Sequence, residues 1–78
     1  MPEKEITIGQ RAVKAIDKKA EEYGITAMLE CAKMGIDMGT YRGWKNSRYE
    51  PSAFFLKQMA LAGYDVFYIL TGKENKHV

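Results

Sequence analysis

Between Met38 and Arg48 the chain reads Met-Gly-Thr-Tyr-Arg-Gly-Trp-Lys-Asn-Ser-Arg, with three cations, Arg42, Lys45 and Arg48, the amide of Asn46 and no acid. Guanidinium and ammonium groups donate hydrogen bonds and accept none, so such a stretch holds anions. An arginine fork can in addition pair with two acceptors in one plane, such as O6 and N7 of guanine. Residues suited to covalent chemistry are isolated by comparison. Cys31 is alone, forms no disulfide within the chain and fits no metal-ligand spacing, and the one histidine, His77, has no partner at a fixed interval. Paired carboxylates, a Cys-His couple, a metal cluster and a phosphate-binding glycine loop are all missing from the sequence. The expectation is a binding protein and not an enzyme, with no cofactor, no metal and no small-molecule substrate.

Something must position those cations, and 78 residues allow one domain to do it. We expect a single domain over 1–78, with an ordered core over about 7–72 and a polar tail over 73–78. The apolar share of 46% and charged share of 28% suit a packed core, while a net charge of +2 is too small to demand or exclude a polyanionic partner. Distribution must therefore decide. No apolar run approaches the ~18 residues that span a bilayer, and Glu3, Lys4 and Glu5 interrupt any export signal, so no membrane partner and a reducing, cytoplasmic setting are expected.

Helical periodicity runs through the chain, and no β-type alternation competes with it. Ile8, Ala12, Val13, Ile16, Ala20 and Tyr23 mark one face of a first helix over about 8–23, with Thr7 as its cap and Gly24 as its stop. Thr26 caps a short second helix through Met34, whose inward residues are expected to be Leu29, Ala32 and one or both of Met28 and Cys31. After Gly35, Asp37 can cap a third helix with Tyr41 and Trp44 three apart on its buried side. Pro51 and Ser52 open a fourth, with Phe54 or Phe55, Met59 and Leu61 or Ala62 turned inward. A fifth runs from Asp65 to about Thr71 and ends at Gly72.

The joint at Gly35 has a recognisable logic. A left-handed residue turns the chain, Ile36 plugs the space between the helices, Tyr41 and Trp44 anchor the later helix, and Cys31 is small enough for close approach. Farther on, Ala-Gly-Tyr-Asp-Val-Phe-Tyr-Ile-Leu-Thr-Gly closes the pattern over 62–72. With these features the stretch from Gly24 to Gly72 resembles the phage repressor and Cro-like helix-turn-helix family. The resemblance implies an all-α, five-helix, lambda-repressor-like DNA-binding domain. It also implies a transcription regulator that occupies an operator, lacking the self-cleaving domain of longer phage repressors.

By match to that family, the solvent side of the third helix comprises Met38, Gly39, Thr40, Arg42, Gly43, Lys45 and Asn46. Arg42 is the candidate for a base edge, Thr40 or Met38 for a thymine methyl, and Lys45, Asn46 and Arg48 for phosphates. Gly39 and Gly43 cost the helix roughly 1 kcal/mol each relative to alanine, and as small residues they would either allow close approach to the backbone or a thymine methyl or leave this face without strong base readers. Two departures stand out: Glu30 sits where the family has an apolar residue, and Ala27 replaces a polar residue that often touches DNA. Phe54, Phe55, Tyr64, Phe67, Tyr68, Ile69 and Leu70 are much apolar surface for so small a chain, which points to a homodimer on a pseudo-palindromic site. The alternative is a protein-interaction module, an adaptor, antitoxin or anti-repressor, that keeps the scaffold with weakened DNA reading.

Overall fold

Four of the five helices begin where a short polar side chain replaces the missing partner of a backbone N–H. Thr7, Thr26, Ser52 and Asp65 accept from the amides of Gln10, Leu29, Phe55 and Tyr68, and at Thr7 the Gln10 side chain returns the favour to complete a capping box. The computed structural model describes residues 6–73, and over them the chain forms five helices and no strand. They are α1 Ile8–Tyr23, α2 Ala27–Lys33, α3 Met38–Lys45, α4 Ala53–Leu61 and α5 Val66–Thr71. His77 and most of the expected tail lie outside the described residues.

Four helix ends share one closing pattern. A residue with positive φ turns the chain, and the next amide donates to the carbonyl five residues back: Ile25 to Ala20, Ile36 to Cys31, Arg48 to Gly43 and Tyr64 to Met59. At the α2–α3 joint the left-handed residue is Gly35, at φ 74°, where an added Cβ would meet nothing within 4 Å and only the dihedral demands glycine. After α3 the same place is taken by Ser47 at φ 60°, the one described non-glycine residue with positive φ. Left-handed backbone costs such a residue about 1–2 kcal/mol, so the α3 exit stores strain that the other three exits avoid.

The core draws on all five helices, through Ala12, Val13 and Ile16 of α1, Cys31, Tyr41, Trp44, Met59 and Ile69, with Met34, Ile36 and Tyr64 from the connections. α1 is the central element and packs against α2, α3 and α5, while α4 packs on α5. Contact between α1 and α3 is at backbone distance. A Cβ on Gly9 would lie 2.9 Å from the Trp44 Cβ and 3.0 Å from its Cα. No described helix is long and apolar enough to cross a membrane.

Several expected inward residues face solvent instead. In α2 the buried face is Glu30 and Cys31, continued by Met34, which share one side of a helix at three- and four-residue steps. Met28, Leu29 and Ala32 fall on the opposite side and are exposed. The rotation follows from Glu30, which is 3% exposed because its carboxyl meets the Tyr64 hydroxyl inside the molecule. Tyr23 is exposed at the end of α1, beyond the core. In α4, Met59 is buried and Phe55 half-buried as expected, but Phe54, Leu61 and Ala62 are exposed, since the chain turns at Gly63 and Tyr64 fills the inner place.

Candidate nucleic-acid interface

What holds α3 is its apolar side. Tyr41 is 7% exposed and its hydroxyl donates to Asp17 Oδ1 of α1, while Trp44, at 1%, meets the Phe55 ring edge-on with centroids 5.6 Å apart. Burial first, then the hydrogen bond to Asp17, pushes the Tyr41 phenol well above its ordinary range, so it remains a donor at neutral pH. With Tyr41 and Trp44 fixed inward, a helix of 3.6 residues per turn must turn Gly39, Arg42, Gly43 and Asn46 outward, with Met38 and Lys45 on a flank. Ile36, 3% exposed, fills the angle between α2 and α3.

Arg42, Lys45, Asn46 and Arg48 are all exposed, as is Gly39, while Met38 and Thr40 are half-buried. Among the described residues the one ion pair is Lys33 with Glu30, so the cations of α3 and its exit loop have no acidic partner there. Glu50, two residues after Arg48, is engaged elsewhere: its Oε1 accepts from the Gly9 amide at 2.8 Å, at the start of α1. A carboxylate there also complements the helix dipole, and Arg42 and Lys45 do the same in the last turn of α3. The arrangement pins the loop after α3 to α1 and leaves its positive charge facing outward.

Two details differ from the sequence expectation. Asp37 stands at the start of α3, but its side chain accepts from the Thr40 hydroxyl and makes no hydrogen bond to a backbone amide there. That bond holds the Asp37 carboxyl below its usual range. Gly43 is not open to solvent at all. It is buried beneath Tyr49, and a Cβ on it would collide with the Cζ and hydroxyl of that ring and lie 2.7 Å from Cε2. The Tyr49 hydroxyl donates to the Gly39 carbonyl at 3.2 Å.

Tyr49 and Gly9 are thus the residues of this region that sequence reasoning passes over. Only Tyr49 left a signal, the pair of glycines one helical turn apart that form its seat. Among the described residues no three His, Cys, Asp or Glu side chains gather into a group able to hold a metal ion. An open groove of about 510 Å³ lies elsewhere, between α1 and the turn before α5, and includes no residue of α2 or α3.

No family model, curated protein or solved structure compared with this chain matches it.

Proposed function

We propose that this chain is a sequence-specific, double-stranded DNA-binding regulator of transcription, a lambda-repressor-like helix-turn-helix domain that acts by occupying an operator. One observation carries the reading: α3 is anchored by Tyr41 and Trp44 on one side and presents exposed, uncompensated Arg42, Lys45 and Arg48 on the other. A major groove about 12 Å wide admits one helix, and a second helix crossing above it, here α2, braces the first against the phosphates. Arg42 reads a guanine edge, Met38 and the Thr40 methyl meet thymine methyls, and Lys45, Asn46 and Arg48 hold phosphates. The function requires no catalysis and no cofactor, and its setting is the cytoplasm, in a phage or prophage regulatory circuit.

A second copy completes the reader. Phe54, Leu61, Phe67 and Leu70 of α4 and α5 are 58%, 75%, 46% and 43% exposed, apolar surface that a two-fold homodimer would cover. Two α3 helices would then meet half-sites about one helical turn apart.

The test is selection from a pool of random-sequence duplexes, followed by gel-shift titration of the enriched duplex. The double variant R42A/K45A is expected to lose binding by about 5- to 150-fold, the range set by the ~1–3 kcal/mol of a bidentate base contact, while its melting temperature stays near that of the parent. Affinity must also fall steeply as salt rises, because phosphate contacts release counterions. Retained binding in the double variant removes those residues from the interface. Binding insensitive to salt would favour a protein-interaction module, which draws on the exposed apolar side chains of α4 and α5.

A further inference from the structure

Helix-interior glycine is costly, and α3 spends two of its eight residues on it, Gly39 and Gly43. Four positions apart, they lie one above the other and leave a strip of bare backbone on the outward side of the helix. That strip is occupied by Tyr49. The Tyr49 ring fills the space over Gly43 and its hydroxyl reaches the Gly39 carbonyl, so the strip is a seat shaped to this ring. The chain is brought back over α3 by the left-handed turn at Ser47 and the 2.8 Å bond from the Arg48 amide to the Gly43 carbonyl. Two separate costs, glycine within a helix and positive φ at a serine, serve the same placement.

We infer that Tyr49 is a base-reading residue of the interface, supplied to the outward face of α3 by the following loop in place of a side chain from the helix itself. The inference rests on the duplex-binding reading above. Half of the Tyr49 surface, 49%, stays in solvent over Gly39 and Gly43, on the side of α3 to which helical geometry also turns Arg42 and Asn46. A ring resting against bare backbone takes the shell that ordinary side chains would fill. α3 therefore keeps the ~10–12 Å girth that a major groove about 12 Å wide accepts, and the ring has no need to leave. Its exposed carbons suit a thymine methyl. Its hydroxyl, whose proton is committed to Gly39, offers an acceptor to the exocyclic amine of cytosine or adenine.

The experiment compares base preferences of the parent, Y49F, Y49A, G43A and R42A, each selected from the same random-sequence duplex pool, with thermal melts of all five. Y49A is expected to lose preference at one or two adjacent positions and to bind the parent's selected duplex about tenfold more weakly. Loss in R42A should fall at a different position. G43A must push the ring off its seat while leaving the tyrosine in the chain, and should reproduce the Y49A pattern. Y49F, which keeps the ring and therefore the packing, should retain a thymine preference and lose any amine-directed one. Unchanged or tighter binding in folded Y49A and G43A overturns the inference, the tighter result marking the ring as a shield. A parent protein that enriches no sequence overturns the duplex reading itself and this inference with it.

Discussion

The Tyr64 hydroxyl donates a 2.6 Å hydrogen bond to Oε2 of Glu30, joining α2 to the turn between α4 and α5 inside the molecule. The other carboxyl oxygen, Oε1, is buried without a hydrogen-bond partner among the described residues, and the closest charge is the Lys33 ammonium at 3.5 Å, itself half in solvent. The Lys19 ammonium sits 4.3 Å above the Tyr64 ring and covers its other side. A buried carboxyl with one good hydrogen bond depends heavily on that bond.

Removing the donor alone should therefore cost more than removing the pair. Y64F is expected to destabilise the fold by about 1–3 kcal/mol, the range for stranding a buried polar group. The double variant E30M/Y64F, in which an apolar side chain of similar length meets the phenyl ring, should recover most of that loss. Urea unfolding of the parent, both single variants and the double variant reads this directly. A double variant no more stable than Y64F would mean that Glu30 is held by something other than Tyr64.

The same pair shows where the sequence is silent. Helix ends are legible because their causes are local: Thr7 with Gln10, Thr26, Ser52 and Asp65 announce starts, and Gly24, Gly35, Gly63 and Gly72 announce stops, all within a few residues of the backbone groups concerned. Tyr41 and Trp44 are legible as anchors for the same reason, since their spacing alone puts them on one side of α3. Glu30 reads as a surface acid until Tyr64, 34 positions later, is known to face it, and that one long-range bond turns Leu29 and Met28 outward. Gly43 reads as open backbone until Tyr49 is found lying on it. Five helices and the cationic stretch could be read from short-range pattern, whereas the rotation of α2 and the covering of α3 arise from contacts that no local pattern encodes.

Gly9 sets how closely α1 approaches α3, and it should not tolerate even one carbon. In G9A the new methyl would lie 2.9 Å and 3.0 Å from Trp44 Cβ and Cα and 3.1 Å from its carbonyl oxygen, atoms that cannot yield by rotating a side chain. The helices must separate, at a cost of about 1–3 kcal/mol for overpacking, and the Glu50 bond to the Gly9 amide is strained with them. We expect a lower melting temperature together with a shifted Trp44 fluorescence maximum. A G9A variant as stable as the parent, despite alanine's better helix propensity being worth only about 1 kcal/mol, would show that the two helices have slack at this crossing.

Alkaline pH should unfold this protein earlier than its net charge suggests, and the sign follows from three raised groups. Burial, aided by the negative charges of Asp17 and Glu30, pushes the Cys31 thiol from 9.0 up to about 11. Burial and then the hydrogen bond to Glu30 push Tyr64 well above the ordinary 10, and burial with Asp17 does the same to Tyr41. In each case the unfolded chain gives up its proton first, so over that interval the native state binds more protons than the unfolded state and stability falls as pH rises. These contributions are whole below the unfolded values and are lost as pH climbs through the folded ones, so the urea midpoint should hold near neutrality, begin to fall at about pH 9 and fall more steeply beyond about pH 10. C31A should remove the first part of the decline and Y64F should flatten the second, measured against each variant's own midpoint at pH 8. A midpoint that stays level or rises between about pH 9 and 11 would mean that these groups ionise as readily in the native state as in the unfolded chain.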